Sequence, residues 1–300
     1  MKRKRWLPLL PFVLALMFSG CGVETVSPSV PQTTPAPPTP TPTATPLPLE
    51  EEPYRFVTED GEVWIVDNAA GERVAKVPYS QEKLERTGDG NSDGGEIAAG
   101  SCYLDAQTFA FVGGDLVQFF GCVSHDGGQN WIEFRCPSGI DRLRVCCVDF
   151  WSAEEGVIAV GGDRQMNSET KTLFFTSDGG TSWVEQQMEK PPSNRLLNGV
   201  TFADRMHGIL SLDVPNEEPE YWYTEDGGAT FTQLELPLPE FEGTYYFKAD
   251  SLRINPEDES WTLTLGQGNY GQRKAVLMKT TSESGWTYAG WGEKPASGLG

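Results

Sequence analysis

Apolar and polar positions alternate in short runs along most of the chain, and turn residues punctuate the runs. Cys147-Val-Asp-Phe150, the polar stretch 151–155 and Gly156-Val-Ile-Ala-Val read as strand, turn, strand. Gly199-Val-Thr-Phe202 followed by Gly208-Ile-Leu-Ser-Leu repeats that pattern, and the stretches starting at Ser101 and Ala249 echo it. A second hairpin lies downstream of each. Ser124-His-Asp126-Gly-Gly128-Gln-Asn-Trp131, Ser177-Asp178-Gly-Gly180-Thr-Ser-Trp183 and Thr224-Glu-Asp226-Gly-Gly228-Ala-Thr-Phe231 share one frame, with aspartates 52 and 48 residues apart. In that frame Asp accepts hydrogen bonds from its own turn, Gly supplies positive φ, and the aromatic returns to the core. Thr281-Ser-Glu-Ser-Gly285-Trp286 is a worn fourth copy, and Thr58-Glu-Asp60-Gly-Glu-Val-Trp64 reads as a degenerate fifth. Two hairpins per repeat of about 50 residues, repeated four or five times, predict an all-β propeller of about five four-stranded blades.

The Ser-x-Asp-x-Gly-x-Thr-Trp frame resembles the Asp-box (BNR) repeat of sialidase-like propellers, sortilin-type ectodomains and photosystem II assembly factors. The resemblance runs from about residue 100 to 290, or over the whole body from 54 to 300 if Tyr54 to Lys76 is included. The pattern ahead of each box looks closest to the assembly-factor type. In these families the box is a structural turn, so it implies a fold rather than a chemistry.

Outside the repeats the chain changes character. Lys2-Arg3-Lys4-Arg5 and the apolar run from Trp6 to Phe18 match a secretory signal over residues 1–20. The run ends in Phe18-Ser19-Gly20-Cys21, which resembles a bacterial lipobox and implies lipidation at Cys21, with Phe18 departing from the usual Leu. A lipid-anchored protein on the extracytoplasmic face of the cell membrane is the expectation. Residues 21–53 follow as a linker rich in Pro and Thr, with little to bury; the part from Ser27 to Pro53 would reach roughly 80 Å as polyproline II.

The full chain carries 23 basic and 43 acidic residues, and four of the basic ones but no acidic one lie in the signal segment. The mature chain is therefore more acidic still, which excludes a nucleic-acid partner and a basic membrane-binding patch. With only two histidines, His125 and His207, both in turns, histidine chemistry has little to draw on.

Beyond Cys21, the cysteines are Cys102, Cys122, Cys136, Cys146 and Cys147. In an exported chain they are disulfide candidates, Cys102 with Cys122 and Cys136 with Cys146 or Cys147, with one thiol left over in a core strand. No C-x-x-C pair favours zinc. Asp89, Asn91 and Asp93 resemble the first half of a calcium loop, but the twelfth position, where Glu is needed, is Gly100. The favoured reading there is a solvated turn without a cofactor, within a polar excursion from Ser80 to Gly100.

A sialidase-like hydrolase needs an arginine cluster, a Tyr/Glu pair and an acid/base aspartate. The Arg-Ile-Pro motif is missing; Arg253-Ile-Asn255 is the nearest match and lies in the last repeat. Tyr245-Tyr246 near Lys248 could offer a phenol, and Arg142, Arg144 and Arg164 are candidate anion contacts. No catalytic residue is assigned. The preferred reading is a non-enzymatic platform for an envelope protein or glycan, with the sialidase-like hydrolase as the alternative. Its binding loops are expected at 80–100, 163–170, 214–220 and 266–273, with aromatic or acidic clusters at Glu217-Glu218-Pro-Glu220-Tyr221-Trp222 and at Asn269-Tyr270.

Overall fold

The computed structural model describes residues 52–85, 97–213, 218–238, 247–267, 273–279 and 285–293. Cys21, the linker through Glu51, the Asp89–Asn91–Asp93 loop, Tyr245-Tyr246 and Asn269-Tyr270 lie outside these residues.

Among the described residues the strands form five antiparallel sheets in series, the blades of a β-propeller. The first sheet holds β1 (Tyr54–Glu59), β2 (Glu62–Asp67) and β3 (Arg73–Ser80). The second holds β4 (Cys102–Leu104), β5 (Phe109–Gly114), β6 (Gln118–Ser124) and β7 (Ile132–Pro137). The third comprises β8 (Leu143–Phe150), β9 (Gly156–Gln165), β10 (Ser168–Thr176) and β11 (Val184–Gln186). In the fourth are β12 (Leu196–Phe202), β13 (Gly208–Asp213), β14 (Glu220–Thr224) and β15 (Thr232–Leu234). The fifth has β16 (Phe247–Ile254), β17 (Trp261–Gln267), β18 (Arg273–Lys279) and β19 (Thr287–Glu293). A short helix, α1 (Gln81–Glu85), and a 3-10 turn at Ala99–Ser101 occupy the ends of the polar excursion between the first two sheets.

Within each four-stranded blade the chain runs from the innermost strand outwards, and the innermost strands β8, β12 and β16 pack side by side. Apolar residues on both faces of each sheet fill the gaps between blades. Ala110, Val112 and Phe119 of the second blade meet Val148, Ile158 and Phe174 of the third. Val157, Leu173 and Phe175 of the third meet Val200, Leu210 and Phe231 of the fourth. Central strands buried on both faces read as continuous apolar runs, as β5 and β9 do.

The boxes close the hairpins β6–β7, β10–β11 and β14–β15, all at one end of the blades. In the third blade the Asp178 carboxylate accepts from Thr176 Oγ1 (2.8 Å), Ser182 N (2.9 Å) and Ser182 Oγ (2.6 Å), while Gly180 N donates to Thr176 Oγ1 (2.9 Å). Ser124/Asp126/Asn130 and Thr224/Asp226/Thr230 repeat this set. Both glycines of each pair have positive φ, for example 68° at Gly179 and 88° at Gly180. The second glycine also lies against the preceding blade. A Cβ on Gly128 would overlap Ala75 Cβ, one on Gly180 would come within 2.9 Å of Val123 Cγ2, and one on Gly228 within 2.8 Å of Leu173 Cδ1.

Two expectations are corrected. Asp60 is not a fifth box. It and Gly61, with φ of 53° and 78°, form a two-residue hairpin turn between β1 and β2. That turn sits at the end opposite the boxes, since Gln81 N, just past β3, donates to Gly61 O and α1 lies against β5 near its Gly114 end. The box-side turn of this sheet is 68–72, where Asp67 caps Ala69 N and Ala70 N.

The second correction concerns the cysteines. All five described cysteines are free thiols. Cys102 and Cys122 both lie opposite Phe111, one on each flanking strand. Two strand spacings put them about 9.5 Å apart, beyond disulfide reach. Cys136 lies on the outermost strand of its blade, whereas Cys146 is on the innermost strand of the next, and Cys147 faces the other side of β8.

Candidate binding face

Because neighbouring strands are antiparallel, the second turn of each blade and the connections between blades fall on the face opposite the boxes. Three of these segments are tied together by backbone hydrogen bonds. Ser138 N donates to Val117 O (3.0 Å), Arg142 N to Leu116 O (2.5 Å) and Asp163 N to Asp141 O (3.0 Å). Three non-glycine residues here have positive φ: Arg142 at 52°, Asp163 at 50° and Met166 at 58°. Met166 occupies a two-residue hairpin position that favours Asn or Gly, and its side chain is 88% exposed. Leu116 and Val117 are also exposed, so the rim carries three large apolar side chains.

Beside this rim a cleft of about 340 Å³ opens between the first and second sheets, lined by Ser80, Lys83, Gly114, Asp115, Phe120 and Arg135. Lys83 Nζ lies 3.6 Å from the Tyr79 ring centroid and 4.8 Å from that of Phe120. Arg135 approaches the same Phe120 ring and pairs with Asp115 at 3.2 Å.

The arginines singled out in the sequence do not converge. Arg144 sits at a bulge in β8 and Glu169 at another in β10, which turns the two side chains toward each other. The guanidinium forks onto the buried Glu169 carboxylate (2.6 and 2.9 Å) and donates to Leu197 O (2.6 Å); Leu197 N donates to the same carboxylate. Lys171 Nζ donates to Arg195 O at 2.6 Å, and burial pushes its pKa down to about 8.

Arg253 reaches from β16 to the box-side ends of β8 and β12. It donates to Asp149 Oδ1 (3.3 Å), Phe150 O (3.4 Å) and Phe202 O (3.3 Å). The buried Asp149 also accepts from Thr201 Oγ1 (2.8 Å) and Phe202 N (2.9 Å). Arg142 and Arg164 are exposed, and Arg164 Nε donates to Met166 O. Lys248 is buried with Nζ 3.6 Å from Asp250 Oδ1.

His125 bridges two boxes, with Nδ1 3.1 Å from Thr108 Oγ1 and Nε2 3.0 Å from Gly179 O. His207 caps its turn against Asp204. Tyr221 is buried and Trp222 packs on the blade core with Nε1 donating to Glu220, so neither extends into solvent as a grip. Among the described residues no three His, Cys, Asp or Glu side chains gather as metal ligands. The apolar rim was not read from the sequence. Its one local signal is Met166-Asn167 between two strand runs, a turn that leaves the methionine exposed.

No protein-family model matches the chain, and no curated protein matches it. Solved structures do. A GH74 xyloglucanase from Xanthomonas campestris is 15% identical with a TM-score of 0.41, over 78% of this chain and 36% of its own, so this chain spans about a third of that enzyme. YCF48 bound to D1 peptide is 12% identical with a TM-score of 0.36, over 85% and 89% of the two chains. A variant of the NanB sialidase from Streptococcus pneumoniae is 9% identical with a TM-score of 0.37, over 79% and 43%. At these values none of the likenesses bears on activity.

Proposed function

We propose that the protein is a lipid-anchored extracytoplasmic platform whose propeller binds an envelope protein through the face opposite the boxes. The observation that carries this reading is the rim of Leu116, Val117 and Met166, exposed apolar side chains held out on cross-linked turns. Exposed apolar area ringed by polar groups is the usual mark of a protein contact. The hydrolase alternative has less support, because Arg144 and Arg253 are spent on Glu169 and Asp149 rather than left to grip a substrate carboxylate.

The test is affinity capture from detergent-solubilised membranes, comparing the full chain with the Leu116→Asp/Met166→Asp variant, alongside a glycan array and a fluorogenic sialoside assay. Saturable capture of one membrane protein, weakened at least tenfold by the variant, is the expected result. Sialoside turnover, or glycan binding with no protein captured, would overturn the reading.

A further inference from the structure

The cleft between the first two sheets gathers hydrogen-bond donors that have nothing to accept them. Ser80 Oγ accepts from Lys83 N at 3.3 Å where α1 starts, and the buried Leu84 pins that helix to the core between the two sheets. Gly113 permits the close approach, because a Cβ there would come within 2.9 Å of the Phe120 ring and 3.6 Å of Lys83 O. Lys83 Nζ is thereby set on the rings of Tyr79 and Phe120, while Arg135 Cζ stands 5.5 Å from the centroid of the same Phe120 ring.

The acceptors around these cations are already in use. Asp115 Oδ1 accepts from Val117 N (3.2 Å) and Gln118 N (3.0 Å), and its Oδ2 accepts from Arg135 Nη1 (3.2 Å). Gln118 Oε1 accepts from that same nitrogen at 3.2 Å. Glu133 lies against the Tyr79 hydroxyl, and the exposed Glu82 has a partner other than Lys83. Among the described residues, Lys83 Nζ pairs with no carboxylate, and Arg135 keeps Nε and Nη2 open. Those two nitrogens form the edge of a guanidinium that takes a carboxylate with two parallel bonds, and the ammonium beside them offers a third.

We propose that this cleft takes an Asp or Glu side chain of the partner protein, with an apolar residue of the same segment seated on Leu116 and Val117. This rests on the reading of the face as a protein contact and adds the chemistry of what docks there. Leu116 and Val117 complete the turn that Asp115 begins, so the open donors and the exposed apolar side chains belong to one loop and its walls. The chain's net charge of −20 repels an acidic run at a distance. The partner segment therefore carries one carboxylate among apolar residues, and the cleft fixes its register while the rim supplies the buried area.

Selection of displayed random heptapeptides on the full chain tests this. The expected peptides carry Asp or Glu beside a large apolar residue. Changing that acid to its amide should weaken binding by roughly tenfold or more, and so should Lys83→Gln/Arg135→Gln in the protein. The change in the peptide leaves the protein untouched, so its effect is read without any question of folding. Peptides that are lost with Leu116→Asp/Met166→Asp but indifferent to both charge changes would leave the face as a protein contact and overturn the carboxylate site. Selected peptides without an acid would overturn it as well, and failure to select any peptide would count against both readings.

Discussion

At the residue scale the box glycines separate two physical demands. Gly127 needs positive φ but has open space where a Cβ would stand, whereas Gly128 needs positive φ and contact with Ala75. Gly127→Ala should cost about 1 kcal/mol of backbone strain, and Gly128→Ala about 2–4 kcal/mol once overlap is added. Urea denaturation of the two variants gives the difference directly. The box aspartates make a second prediction. The Asn130 backbone and side-chain donors hold the Asp126 carboxyl down to about 2, and Asp178 is lowered by Ser182 in the same way. A folded-state pKa below the unfolded one adds stability that is present above about pH 4 and lost as pH falls toward 2. The urea midpoint should therefore drop over that window, with a smaller drop in Asp178→Asn.

Lys171 titrates the other way. A lysine pushed down to about 8 binds fewer protons folded than unfolded between there and its usual 10.5. Its own contribution to stability should therefore rise from pH 8 to 10, against the opposite trend of the buried thiols, and is read as the difference in pH dependence between the unmodified chain and Lys171→Met.

At the scale of elements, the ties between blades matter as much as the blades. Arg253→Met would leave the Asp149 carboxylate buried without its cation and should cost about 3–5 kcal/mol. Arg253→Met combined with Asp149→Leu should recover much of that loss, a comparison that chemical denaturation of the single and double variants settles. These ties also mark the limit of what the sequence discloses. The hairpins were legible because Asp, Gly and Trp each have a local reason to stand where they do. Arg144 with Glu169 and Arg253 with Asp149 were not, because the first depends on bulges in two strands of one blade, 25 residues apart, and the second on how the third and fifth blades meet, 104 residues apart. Asp60 misled because a two-residue Asp-Gly turn and a box share the same first two letters. The cysteines misled because proximity in sequence hid a strand lying between two of them.

At the scale of the molecule, the cysteines show what holds the body together. Burial raises the thiol pKa values of Cys122, Cys136 and Cys146, and pushes that of Cys147 up to about 11. A melting temperature unchanged by reductant is expected, with Cys122, Cys146 and Cys147 reacting with a thiol reagent only after unfolding; a shift on reduction would show bonds that the free thiols exclude. The apolar seams between blades carry the load instead.

The contact of each second box glycine with the blade before it also orders events in time. Gly128 needs β3 in place, Gly180 needs β6, and Gly228 needs β10. Synthesis from the N-terminus delivers those surfaces in the same order. Each newly emerged hairpin then finds a finished wall to close against, and the blades assemble in the order of synthesis without waiting for the last repeat.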